Sequence, residues 1–328
     1  MSLADSLRSA LRAAGSLKLT LVILVALAAG IVVAYHSETR TTWTLVVPLA
    51  LAALNLMAAV ATNGVFRRQS ALLVFHLALI AILLLVAAGR LSYFRGQIEL
   101  TQGEEFNGVP SSSEAGPWHW WRLDRVRFLN EGFRIEYAPG VRRGKTRNPL
   151  RYLDESGRVA AAVIGDTDAL VLHGYRIYTS SNKGFAPTFL WRPASGGEPQ
   201  VGSVHLPAYP VHEYRQAQEW QPPGSVHKVW IMLQFDEVIL DPERPSEFRL
   251  PQRHTLVVRV DGQRREILPG DEVQLPDGVL TYEGLRAWMG YSVFSDWTIH
   301  WLLAAGFIAV ASLAWHFWSK FAARPWNP

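Results

Sequence analysis

The chain contains no cysteine among its 328 residues. Disulfide bonds and thiol oxidoreductase chemistry of its own are therefore excluded. The common catalytic signatures are also missing, since no GxSxG, HExxH, P-loop or dinucleotide glycine run occurs in a suitable context. Glu104 and Glu105 are adjacent, so on a strand their side chains would point to opposite faces and would not share a proton. Nothing in the sequence indicates hydrolysis or group transfer.

Acidic residues are almost absent from residues 17–94, and this part of the chain is strongly apolar. The mean hydropathy of the whole chain, +0.07, conceals this unevenness. A bilayer core of ~30 Å needs about 20 apolar residues in a helix, and four runs have that length. The sequence therefore predicts four transmembrane helices, at 17–35, 43–62, 70–90 and 297–318. The first run is too long for a signal peptide and no small-residue cleavage site follows it, so we expect it to remain as an anchor.

Lysine and arginine in the short loops predict the orientation of the four helices. They fall into three groups that lie on one side of the membrane: Arg8, Arg12 and Lys18; Arg67 and Arg68; Lys320 and Arg324. Arg40 and Arg90 lie on the other side. We expect residues 1–16 and 319–328 in the cytoplasm and residues 95–296 outside it.

Residues 95–296 are polar, rich in proline and glycine, and carry short β-branched runs between turn signals. The VDGQ and PDGV segments are typical of hairpins or tight turns. No helical period of useful length occurs there. The fold predicted for the chain is thus four transmembrane helices with a large extracytoplasmic all-β domain, sandwich or barrel-like, inserted between helices three and four.

Two segments of this domain could suggest a binding site, but we favour a structural interpretation for each. The basic cluster RRGKTR at 142–147 is interpreted as a solvated loop tip, and WHWW at 118–121 as core and surface aromatics of the domain and not a cofactor site. The net charge of +4 is explained largely by the cytoplasmic flanks, so no nucleic-acid partner is expected. Membrane lipid is the expected surrounding.

His76 is a polar ring in an otherwise apolar span, roughly 9 Å from its cytoplasmic end. Leaving its nitrogens unpaired in hydrocarbon would cost several kcal/mol. One interpretation is an interhelical hydrogen bond to Asn55 or Asn63. The other is an axial ligand to a b-type haem, since neutral imidazole binds iron well.

A second axial ligand would come from another subunit or from a histidine of this chain. His316 lies near the cytoplasmic end of span four and would face His76 across the bundle. His36 and His300 lie at similar heights on the outer side and would form a second pair. Two haems held this way would make a path for electrons across the membrane.

Several segments resemble the ResB (CcsB) family of System II cytochrome c biogenesis. WTLVVPLALAALNL resembles the family's tryptophan-led second span, and FHLALIAILLLVAAGRL resembles its third, in which a histidine stands at the place of His76. NPLRY at 148–152, HGYRIYTSSNKGFAP at 173–187 and YEGLRAWMGYSVFSDW before the last span resemble further family segments. The order of these segments covers nearly the whole chain.

The resemblance implies that the protein works with a ResC (CcsA)-type membrane partner. Together they would move haem across the membrane, keep its iron reduced and present it to the cysteines of apocytochrome c, in a pathway with a thiol-reducing thioredoxin-like protein. It implies that His76 is one ligand of an intramembrane haem and that the partner supplies the other. Having no catalytic motif of its own, the chain would be at most a component of a haem lyase complex.

Two further classes stay open at this point. A b-haem electron-transfer subunit of a larger redox complex would need His36, His300 and His316 as well as His76, whereas a structural scaffold would need none of them. For an assembly factor, the outer domain would hold the partner or the apocytochrome, and its extended edges could take an unfolded peptide by strand addition.

Overall fold

The computed structural model describes residues 3–37, 41–120 and 122–322. The predictions made for Arg40, Trp121 and Arg324 fall outside these residues, as does the side chain of Arg8. Contacts divide the chain into two units. The helical unit comprises Met1–Phe94, Glu114–Trp120 and Ser295–Pro328, and the β-rich unit comprises Arg95–Ser113 and Trp121–Phe294.

The helical unit contains six helices in its described residues: α1 (Leu3–Ala14), α2 (Leu17–His36), α3 (Thr42–Thr62), α4 (Val65–Arg68), α5 (Ser70–Ser92) and α6 (Thr298–Ala322). Four of them, α2, α3, α5 and α6, are long and apolar enough to cross a membrane. Because lipid offers no hydrogen bonds to a backbone, a helix that satisfies its own is the natural form for these runs. The predicted order of three spanning helices, a β domain and a fourth spanning helix is confirmed.

Packing within the helical unit relies on small residues and a few polar pairs. Val46 and Leu49 of α3 form an apolar cluster with Ala87 and Leu91 of α5. Gly30 of α2 lies directly against the backbone carbonyl of Thr44, and a Cβ at this position would overlap that oxygen. Such close backbone approach is typical of helix contacts in membranes.

The β-rich unit holds seventeen strands in the described residues, counting the ends of β1, β3 and β17 that lie in the helical unit. Their bounds are β1 (Phe94–Thr101), β2 (Glu105–Phe106), β3 (Ser112–Ala115), β4 (Phe128–Asn130), β5 (Arg134–Ala138), β6 (Arg142–Leu153), β7 (Val159–Ile164), β8 (Leu170–Leu172), β9 (Tyr175–Pro193), β10 (Gln200–Ser203), β11 (Ala217–Trp220), β12 (Val229–Gln234), β13 (Ser246–Glu247), β14 (Thr255–Val260), β15 (Gln263–Ile267), β16 (Glu272–Leu275) and β17 (Gly278–Ser295). Its described residues contain no α-helix, only two short 3₁₀ turns.

The strands form three antiparallel sheets. The first has the order β10-β9-β17-β1-β3, with β16 on β17 and β8 on β9; the second has the order β11-β12-β14-β15; the third has the order β13-β5-β6-β4-β2, with β7 on β6. Strands β9 and β17 pair along most of their length, from Arg176 with Phe294 to Pro193 with Gly278. Large aromatic side chains fill the interior beside them, among them the fully buried Phe185, Phe189 and Trp191.

The turn signals in the sequence correspond to real turns. Asp261 and Gly262, with φ of 46° and 80°, form the two-residue connection between β14 and β15. Both residues need positive φ in such a hairpin, which is why Asp-Gly suits it. Pro276 and Asp277 form the two-residue connection between β16 and β17.

Two sequence interpretations are corrected by the structure. RRGKTR is not a loop tip, because it begins strand β6; its side chains are nonetheless exposed apart from Thr146. Trp118, His119 and Trp120 group with the helices and not with the β-rich unit. Contacts with residues far along the chain, which no local pattern reveals, decide both placements.

Candidate functional site

His76 is the only titratable side chain of α5 before Arg90, and its ring is half-buried. Its Nδ1 lies 2.8 Å from the carbonyl oxygen of Leu72, one turn earlier. A carbonyl oxygen can only accept, so Nδ1 must carry the proton. The ring is then the neutral tautomer whose Nε2 has a free lone pair, and a backbone carbonyl on the other nitrogen is the usual arrangement for a metal-binding histidine.

Aromatic rings surround His76. Phe66 of α4 meets it edge-on at 4.6 Å between ring centroids, and Phe75 does so at 5.3 Å. Among the residues that the structure describes, no hydrogen-bond partner contacts Nε2. The ring therefore presents one unshared nitrogen in an apolar setting, and this donor fits the axial position of a haem iron.

The interhelical hydrogen bond considered for His76 is not formed. The Asn55 carboxamide accepts from Oγ1 of Thr20 at 2.7 Å and donates to the carbonyl of Ala14 at 2.5 Å. Asn63 uses its side-chain oxygen to accept from the backbone N–H of Val65. Both asparagines stabilise local or helix–helix structure without His76.

His316 is the buried histidine of α6, only 8% exposed. Its ring lies 5.6 Å from that of Phe317. Within the described part of the chain, no ring contact or hydrogen bond joins it to His76. The two rings predicted to face each other therefore do not touch.

The two outer histidines are exposed. His36 contacts the carbonyl of Val32 through Nδ1 at 3.0 Å and packs edge-on against Tyr35. His300 lies in the first turn of α6. No hydrogen bond or ring contact joins His36 to His76 or His316 among the described residues.

His119 is a buried histidine that the sequence interpretation set aside. It is 8% exposed, its Nδ1 lies 2.9 Å from the carbonyl of Ser92 at the end of α5, and its ring lies 5.2 Å from that of Phe94. Trp118 and Trp120 on either side are more than 60% exposed. Tryptophan is enriched at the membrane–water interface, so the tryptophan-rich segment that follows α5 could have indicated that His119 lies near this interface.

The β-rich unit contains a buried cation, Lys183, which is 3% exposed. Burial, together with the guanidinium of Arg143, lowers the pKa of Lys183 to about 8, while Asp166 opposes that effect. Asp166 also accepts from Arg143 at 2.5 Å and from Thr179 at 3.1 Å. No cluster of three or more metal-binding side chains occurs in the described residues.

Together these features define a multi-pass membrane protein with three spanning helices, a large all-β domain and a fourth spanning helix. The family model described as "ResB-like family" matches residues 55–221, about half of the chain. The chain belongs to the ResB-like family.

Among solved structures, the cytochrome c haem lyase CcmF aligns with 92% of this chain at 15% identity, with a TM-score of 0.26. The alignment covers 35% of that structure's chain, so this protein spans about a third of its length. A TM-score this low supports no inference about fold or function. No curated protein matches the chain.

Proposed function

We propose that this protein is a System II cytochrome c biogenesis factor that, with a ResC (CcsA)-type partner, carries haem across the membrane for attachment to apocytochrome c. Membership of the ResB-like family supports the role in biogenesis. The observation that carries the haem-handling proposal is the His76 ring, whose Nδ1 is held by the Leu72 carbonyl and whose Nε2 remains available inside a spanning helix.

His76 supplies one axial ligand to haem b in this proposal, and the ResC-type partner supplies the other. The carbonyl of Leu72 fixes the tautomer and the ring orientation, so the nitrogen is ready to bind without reorganisation. The aromatic rings of Phe66 and Phe75 provide an apolar contact surface for a porphyrin. The remaining candidate histidines, His36, His300 and His316, are not required.

In the proposed orientation, the residues before α2 and after α6 lie on the cytoplasmic side of a bacterial inner membrane. Support comes from basic residues that would share one side of the membrane. Arg12 lies before α2 and Lys18 in its first turn, Arg67 and Arg68 lie between α3 and α5, and Lys320 lies in the last turn of α6. The β-rich domain then lies on the extracytoplasmic side, where apocytochrome c is found. This chain has no cysteine and so cannot reduce the apocytochrome thiols itself. In this proposal a thioredoxin-like protein of the same pathway keeps them reduced.

The test is a reduced-minus-oxidised absorbance spectrum with pyridine-haem quantitation on full-length protein co-purified with its ResC-type partner. We expect haem occupancy to fall about tenfold or more in His76→Ala, because losing a ligand bond of ~1.4 kcal/mol already gives that factor. His316→Ala is the matched control, since it removes a histidine from another spanning helix. Its occupancy should stay at the wild-type level.

A second measurement separates ligation from folding. Imidazole added to His76→Gly should restore the b-type spectrum if the variant lacks only the ligand. Haem retained in full by His76→Ala would overturn the proposal, and so would a wild-type complex without haem. Equal loss in His36, His300 and His316 variants would instead favour a transmembrane electron-transfer subunit.

A further inference from the structure

Strand β7 is an open edge of the third sheet. It pairs with β6 over six residues without a bulge, from Val159 with Leu153 to Ile164 with Asn148. No other strand in the described residues pairs with it. Its outer row of backbone N–H and C=O groups is therefore available to another strand.

The other edge strands of the described residues are shorter, and most have features that hinder pairing with a further strand. Charged side chains or a glycine occupy most of them, and the rest are only two or three residues long: β2, β3, β8, β10, β11, β13, β15 and β16. Such features are how proteins normally prevent strand addition. The six residues of β7, VAAAVI, include no charge, proline or glycine. Among the edge strands that the structure describes, β7 is thus the longest and least protected.

The outward face beside this edge is apolar. Val159 and Val163 are 72% and 62% exposed, and Leu153 on β6 is 38% exposed. Two of the neighbouring arginines are paired within the domain, Arg151 with Glu131 at 2.5 Å and Arg158 with Asp154. A ligand at this edge would be recognised through its backbone and through alternate apolar side chains, with little selection by charge.

The size of the edge limits what can occupy it. Six residues extend about 20 Å, and the exposed apolar groups are two valines, one alanine and one leucine. A stable dimer buries ~1,200 Å² or more, which this strip does not supply for two folded copies. One extended segment of a single polypeptide fits both the length and the chemistry.

We propose that β7 is a docking edge for an extended, unfolded polypeptide segment, which adds to the sheet as an antiparallel strand. The bound segment makes backbone hydrogen bonds to β7 and places alternate side chains beside Val159 and Val163 on the same face of the sheet. This site lies in the β-rich unit and does not rest on haem binding at His76.

Fluorescence anisotropy with full-length protein in detergent tests this proposal. The probe is a short fluorescein-labelled peptide of alternating valine and threonine, and its control is the same peptide N-methylated at alternate residues. We expect saturable binding of the first peptide only, because N-methylation removes the hydrogen-bond donors. Hydrogen exchange should show new protection at 159–164.

Two matched substitutions locate the site. Val163→Lys should weaken binding about tenfold or more, because the added charge would have to be desolvated beside the bound strand. Val201→Lys, on edge strand β10 at a similar 60% exposure, should leave affinity unchanged. If Val163→Lys fails to give the wild-type circular dichroism spectrum, Val159→Lys serves in its place.

Absence of saturable binding, equal binding of the N-methylated peptide, or equal loss in the β7 and β10 variants would each overturn the proposal. A wild-type dimer that Val163→Lys converts to a monomer would assign the edge to a second copy, and would also overturn it. His76→Ala should bind the peptide as the wild type does, so failure of the haem proposal and failure of this one are distinguishable.

Discussion

Thr20 donates a hydrogen bond from Oγ1 to Oδ1 of Asn55 across 2.7 Å, so a polar pair joins α2 to α3 inside an apolar bundle. The same carboxamide donates to the carbonyl of Ala14, at the end of α1. One side chain therefore connects three helices. Asn55 is 5% exposed, so water does not replace these bonds when they are lost.

Asn55→Leu should destabilise the helical unit, because it leaves the Ala14 carbonyl and the Thr20 hydroxyl without this partner. We expect a cost of about 1 kcal/mol, and a coupling of similar size to Thr20→Val in a double-mutant cycle. Unfolding of full-length protein in detergent measures both. Strictly additive effects of the two substitutions would show that the hydrogen bond contributes nothing.

Gly30→Ala should separate α2 from α3, because the new Cβ would overlap the Thr44 carbonyl oxygen. Overpacking of this kind costs about 1–3 kcal/mol. The control is Gly306→Ala on α6, where a Cβ meets nothing within 4 Å. Thermal melting should fall for the first variant and hold or rise for the second, since alanine favours helix. Equal melting of the two would contradict the observed helix contact.

Lys183 should make the stability of the β-rich unit depend on pH in the alkaline range. Its folded pKa is about 8, below the ordinary 10.5. Between these values the unfolded chain keeps a proton that the folded chain has lost, so stability rises with pH. Below pH 8 Lys183 is protonated in both the folded and the unfolded chain, so its contribution to the free energy of unfolding is constant. That contribution is on the order of 3 kcal/mol less favourable than the one above pH 10.5.

Denaturant unfolding of full-length protein at several pH values, followed by the far-ultraviolet β signal, measures this effect. Lys183→Met should remove the rise and stabilise the domain near neutral pH. Lys145→Met, which removes an exposed lysine from β6, should keep the rise. A wild-type rise that persists in Lys183→Met must come from other groups.

The membrane architecture was readable from the sequence because each span is a long, nearly uncharged run, and no tertiary contact is needed to recognise one. The predicted spans 17–35 and 43–62 correspond to helices Leu17–His36 and Thr42–Thr62 in the structure. Short helices such as α4 were not predicted, because four residues carry no detectable period.

The local geometry of His76 could not be predicted. From the sequence, the His76 ring could bond to Asn55, to Asn63 or to a backbone carbonyl of its own helix. The side-chain torsion angles determine which of these bonds forms. The structure selects the Leu72 carbonyl. Haem binding by this residue stays a prediction, as do the roles proposed for His36, His300 and His316.

Sheet organisation was the least predictable part. β6 contains Arg142, Arg143 and Lys145, and because both of its faces are polar there, no alternation marks it as a strand. The partners of each strand were also hidden, since pairing depends on contacts between distant residues and not on local pattern.

The pairing of β9 with β17 determines when the domain can form during synthesis. Arg176 must find Phe294, and Pro193 must find Gly278, so β9 leaves the ribosome long before its partner exists. Closure of long chain segments makes such sheets slow to fold. Until β17 is made, the apolar side of β9 remains open to wrong partners. Nascent chains that end before residue 278 should therefore need chaperone protection.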